Sequence, residues 1–143
     1  KISKKPGKTK LINHFIINDK ILLADLPGYG YAKLSKFQSK KINILIHDYI
    51  ENRNNLFKIF LLIDIRHEPI KTDLKFIEYL NNIGIAFHII FTKSDKIKKS
   101  ELPKKSKNYI EKIDSHYLDN RFFISSSANN NGREEILNFI ISQ

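Results

Sequence analysis

Asp25 and Gly28 stand at the spacing of an Asp-x-x-Gly string, Asp25-Leu26-Pro27-Gly28, directly after the apolar run Ile21 to Ala24. At the end of a strand, a carboxylate and a glycine so placed can serve a nucleoside triphosphate with magnesium. Asp25 would hold the ion through a water, and Gly28 would offer its backbone N–H to the γ-phosphate, because a residue without Cβ lets the backbone approach closely. The same residues also make a plain Asp-Pro-Gly turn, so position rather than pattern carries the signal. Thr92-Lys93-Ser94-Asp95 is sharper. Asp95 can accept two hydrogen bonds from the N1–H and N2–H2 edge of guanine, an edge that adenine lacks, and leaving that carboxylate unpaired makes discrimination large. The aliphatic stem of Lys93 can lie against the purine face. A Lys/Asp turn between strand and helix is the plainer alternative. In Ser125-Ser126-Ser127-Ala128, the last three residues would supply a backbone N–H to guanine O6. The order phosphate, base edge, base oxygen is that of a GTP site, and the guanine-reading string disfavours ATP.

These residues need strand ends to hold them. Leu11 to Ile17 and Ile21 to Ala24, separated by the turn-forming Asn18-Asp19, read as a hairpin. From Phe37 to about Asn52, Ile42, Leu45, Ile46, Tyr49 and Ile50 make one helical stripe. Leu56 to Asp64 is nearly continuous in apolar residues, as expected of a strand covered on both faces. A helix is expected from Thr72, its N-cap, to Gly84 at its C-terminus. Ile85 to Phe91 reads as a strand, Glu101 to Ile113 as a basic helix, Phe122 to Ile124 as a strand and Arg133 to Ile141 as a closing helix. Strands alternating with helices after a hairpin imply one α/β domain over residues 1–143, its sheet mostly parallel with helices on both faces. Ligands of such sheets bind beyond the carboxyl ends of the strands, where all three strings fall.

Composition narrows the chemistry. The 143 residues are 41% hydrophobic and 28% charged, an ordinary globular balance that excludes wholesale disorder. There is no cysteine, and the five histidines show no ligand-like spacing, so a metal would be held by oxygen, which points to magnesium. No apolar run approaches the roughly 18 residues that cross a bilayer, and a cytoplasmic location is expected. The net charge of +10 fits a polyanionic partner, although 21 of the 25 basic residues are lysine, which also suits a solvated surface. Lys1, Lys4, Lys5, Lys8 and Lys10 form one cluster, and Lys96, Lys98, Lys99, Lys104, Lys105 and Lys107 another.

With KPGKTKLINHFIIND, DLPGYGYAKLSK, LLIDIRHEP, FTKSDKIKKSEL and SSSANNNG on the page, the chain resembles the TRAFAC GTPases, and specifically the EngB family. The resemblance implies a P-loop-type G domain that binds GTP or GDP with magnesium. It places switch I at Gly7, Lys8, Thr9, Lys10 and Leu11, with the Thr9 hydroxyl and Asp25 serving the ion, and switch II at Tyr29 to Lys33. Asp25, Leu26, Pro27 and Gly28 then match the third G motif. Thr92, Lys93, Ser94 and Asp95 match the fourth, with Thr92 in the family's usual form, and Ser125, Ser126, Ser127 and Ala128 match the fifth. It further implies a factor for assembly of the large ribosomal subunit, connected with cell division and septation; rRNA is the expected polyanionic partner, and a monomer is expected. Tyr29 stands where other GTPases orient water with Gln, so slow unaided turnover is expected.

Gly7-Lys8-Thr9 imitates the tail of a phosphate-binding GxxxxGK[ST], but the first glycine would fall at Ile2, and too few residues separate Thr9 from Asp25 for a helix, a loop and two strands. No other such string occurs. The first strand, P-loop and first helix are expected upstream of Lys1, leaving a gap in the sheet and a fragment inactive in hydrolysis. A non-catalytic RNA- or ribosome-binding module that lost its P-loop is the competing expectation.

Overall fold

The computed structural model describes residues 11–29, 35–113 and 121–142. The chain divides into two compact units, Lys1–Leu56 and Phe57–Gln143.

In the first unit β1 (Asn13–Ile17) and β2 (Ile21–Asp25) pair antiparallel, with Phe15 opposite Leu23. Asn18 and Asp19 both take positive φ, 51° and 52°, as a type I′ turn requires, and Lys20 donates its N–H to the Ile17 carbonyl. Helix α1 (Lys36–Asn52) opens on a capping box: Gln38 donates its N–H to Ser35 Oγ, and Ser35 donates its own to Gln38 Oε1. Ile42, Ile46 and Ile50 form its buried stripe. His14 Nε2 and Tyr49 Oη, 3.1 Å apart, tie β1 to α1.

In the second unit β3 (Ile59–Asp64), β4 (Phe87–Thr92) and β5 (Phe122–Ile124) form a parallel sheet in the order β3-β4-β5. Side chains alternate across it. Phe87, Ile89 and Phe91 are fully buried on one face, where Phe91 packs edge-on against Tyr109 of α3 (Leu102–Lys112). Phe60, His88 and Phe123 lie on the other, around Phe139 of α4 (Arg133–Ile141). Helices therefore cover both faces, as the alternating pattern predicts. Among the described residues β1-β2 and β3-β4-β5 are separate ladders.

Most boundaries move by one to three residues, and one cap is corrected. Helix α2 (Lys71–Asn82) starts after Ile70 with no side-chain cap, so Thr72 lies inside it. Asp73 in the first turn meets the helix's positive end instead. Gly84 is confirmed as the terminator: φ is +69°, and its N–H bonds the Asn81 carbonyl. Among the described residues no helix is long and apolar enough to cross a membrane.

Candidate functional site

The carboxyl end of the parallel sheet is fixed before any functional side chain is considered. Asp64 and Thr92 are register partners at the last positions of β3 and β4. Thr92 Oγ1 donates to the Ile63 carbonyl at 3.1 Å, and the Ile65 N–H bonds the Thr92 carbonyl. Beyond Thr92 the chain turns sharply. Lys93 adopts φ 60°, ψ 34°, a left-handed conformation that costs a side-chain-bearing residue about 1 kcal/mol. This leads into a short 3-10 turn, Ser94–Lys96, that presents Asp95.

Both oxygens of Asp95 are engaged. Ser126 Oγ donates to Oδ1 at 2.6 Å, and Lys96 Nζ lies 3.1 Å from Oδ2. The Ser126 hydroxyl foremost, with the Lys96 ammonium, holds the Asp95 carboxyl below its ordinary pKa, so it is a carboxylate at neutral pH. Two oxygens offer about four lone-pair directions, so each keeps acceptor capacity for a base edge.

The loop after β5 is built around the same contact. Ser125 donates its N–H to the Phe91 carbonyl at 2.7 Å and accepts from Ser94 N–H at 3.1 Å. Ser126, only 2% exposed, donates its N–H to the Asn131 carbonyl, while its Oγ accepts the Ala128 N–H at 3.1 Å. The Ser127 N–H has no hydrogen bond among the described residues. Gly132 closes the loop at φ +73°, where a Cβ would lie 2.2 Å from the Ile124 carbonyl oxygen. The sequence reading missed Asn131, whose side-chain amide also reaches Ser94 Oγ at 3.4 Å. The available signal was the run of turn-forming Asn before a glycine.

Beside this corner lies a second carboxylate. Arg66 grips Asp64 with two bonds, Nε to Oδ1 at 2.9 Å and Nη2 to Oδ2 at 2.7 Å, and adds its backbone N–H at 3.1 Å. Lys93 Nζ reaches back to Asp64 Oδ2 at 2.8 Å, and His67 Nε2 lies 3.8 Å from it. The Arg66 bonds, with Lys93, hold the Asp64 carboxyl far below the usual carboxylate range despite its partial burial.

Asp25 to Gly28 belong to the first unit. Asp25 ends β2 exposed, Pro27 is buried, and Leu26 and Gly28 are half-buried. Among the described residues no hydrogen bond reaches the Asp25 carboxylate, and no three His, Cys, Asp or Glu gather as a ready-made metal cage. One exposed carboxylate suits magnesium, which takes few protein ligands and keeps waters and phosphate oxygens. Leu11 is exposed. Gly7, Lys8, Thr9 and Lys10 lie outside the described residues, as do Tyr31 and Lys33 of the expected switch II. In the second lysine cluster Lys96, Lys98, Lys99, Lys104 and Lys107 are exposed and Lys105 half-buried.

A family model described as "50S ribosome-binding GTPase" matches residues 1–93. A probable GTP-binding protein EngB of Bacteroides thetaiotaomicron is 48% identical over 136 residues, covering 94% of this chain and 67% of that protein. Its counterpart in Porphyromonas gingivalis is 46% identical over 141 residues, covering 98% and 70%. The crystal structure of a probable GTP-binding protein EngB superposes with a TM-score of 0.67 at 24% identity, over 97% of this chain and 82% of that one. Era, in complex with MgGDPNP and nucleotides 1506-1542 of 16S ribosomal RNA, gives 0.72 at 20% identity, over 99% and 47%. At these identities the two structures speak for the fold alone.

Proposed function

The chain belongs to the EngB family of GTP-binding proteins, and from that premise we propose that it is part of a magnesium-dependent switch GTPase that assists assembly of the large ribosomal subunit. The observation that carries this reading is Asp95: an ionised carboxylate at a strand end, oriented by Ser126 and Lys96, with acceptor capacity for a guanine edge. Lys93 supplies the stem beneath the purine, and the loop Ser125 to Ala128 faces the base oxygen. Asp25, through a water, and Thr9 would hold magnesium, and Gly28 would mark the terminal phosphate. When bound, the ion neutralises charge developing on the phosphates. Gly7 to Leu11 and Tyr29 to Lys33 serve as switches I and II, through which a partner tells the GTP state from the GDP state. Without a Gln to orient the attacking water, turnover is slow until that partner binds.

The lysine clusters fit rRNA, since each Lys–phosphate contact releases counterions. The family description lends this reading support. We take the protein to act as a cytoplasmic monomer, as one G domain, and to be required for cell division and septation. Binding of GDP and ADP to the natural full-length protein in magnesium tests the nucleotide half: GDP should bind and ADP should not, and equal binding overturns it. Sedimentation with large ribosomal subunits over a salt series tests the other half. Association that ignores both salt and neutralisation of the Lys96–Lys107 cluster rules out rRNA contact through these lysines.

A further inference from the structure

Lys93 sits in a conformation that its own backbone disfavours, so something else fixes it. At φ 60° a glycine or asparagine would be the ordinary choice. Lysine also has four rotatable bonds, and an exposed ammonium normally leaves its stem mobile. Here the ammonium is anchored: Nζ is 2.8 Å from Asp64 Oδ2. The anchor is itself clamped, because the Arg66 fork and the Arg66 N–H leave the Asp64 carboxylate a single orientation. Asp64 and Thr92 are paired across the ladder, so anchor and anchored residue hang from adjacent strand ends whose spacing the sheet sets.

We propose that Asp64, backed by Arg66, is a positioning residue for guanine nucleotides: it holds Lys93 across the floor of the base site, so that the stem is preorganised before the purine arrives. The proposal rests on the guanine-reading role of Thr92 to Asp95. Asp64 does not touch the base; it acts through Lys93. This role makes a prediction opposite in sign to plain electrostatics. Neutralising an acid beside the site of a polyanion should tighten binding, whereas loss of the anchor should loosen it.

The test is GDP affinity of the natural full-length protein and three variants: Asp64→Asn, Lys93→Met, which keeps the stem but removes the anchored charge, and the double variant. Each single variant should bind GDP about tenfold more weakly. The double variant should be no weaker than either single one, because both changes break the same contact. Tightened or unchanged binding in Asp64→Asn, wild-type affinity in Lys93→Met, or losses that multiply in the double variant would each overturn the proposal. If Asp64→Asn fails to fold, Lys93→Met alone decides. Asp95→Asn run alongside separates the two levels: unchanged guanine preference there refutes the underlying site, while an altered preference beside an unaffected Lys93→Met refutes only the anchor.

Discussion

The Asp95 corner and the Asp25–Gly28 stretch are both polar clusters at strand ends, yet they are built differently. Around Asp95 the described residues knit two loops into one piece: Ser126 bonds Asp95, Asn131 bonds Ser94, and Ser125 bonds Phe91. The strand that carries this corner is the core itself, with Phe87, Ile89 and Phe91 at 0% exposure. Asp25 instead ends a two-stranded hairpin on which Phe15 and Ile16, facing opposite sides, are 52% and 71% exposed. A hairpin of two strands is marginal by itself, and one apolar on both sides has the composition of a strand pair inside a larger sheet. The Asp95 corner is therefore preorganised within residues 57–143, whereas the described residues give the Asp25–Gly28 stretch no comparable bracing. That division suits a switch, in which the base stays bound while the phosphate end changes state.

The contrast can be broken first by truncating one aromatic in each region. Phe91→Ala should cost about 4 kcal/mol in denaturant unfolding of the natural full-length protein, since it empties a fully buried site. Phe15→Ala, at a site 52% exposed, should cost under about 1 kcal/mol. Equal losses would erase the difference in packing. Next comes Gly132→Ala, which combines a positive φ with a 2.2 Å collision against the Ile124 carbonyl. It should cost about 3 kcal/mol and lower the melting temperature; an unchanged melt would show that the loop around Asp95 is looser than its hydrogen bonds imply. The smallest effect belongs to Ser126→Ala, which removes a donor to Asp95 without touching its backbone. GDP affinity should fall by about tenfold with the melt shifted by only a few degrees, and an unchanged affinity would detach the loop from base recognition.

Much of this arrangement was legible in the sequence because it depends on local signals. Asn18-Asp19 fixed the hairpin turn, Gly84 the end of α2, and the unbroken apolar run before Asp64 a strand buried on both sides. The three polar strings lay at strand ends as the alternation required. What was not legible depends on contacts distant in sequence. Thr72 has the chemistry of an N-cap, but the chain enters α2 two residues earlier, where the first turn gains Asp73 instead. Lys93 read as a stem for the purine face, and only the pairing of β3 with β4 reveals that its ammonium meets Asp64. Ser126 read as a backbone donor in a Ser-rich loop; that its hydroxyl orients Asp95 follows from the β4–β5 register, which no local pattern specifies.

The central claim is that Asp95 reads the guanine edge. It is tested most directly by titrating the natural full-length protein and its Asp95→Asn variant with GDP and XDP. An amide in place of the carboxylate can no longer take both guanine donors, but its N–H2 can meet the 2-oxo group of xanthine. Wild type should prefer GDP by at least about 100-fold and the variant should reverse that preference. A variant that folds and still prefers GDP would contradict the account.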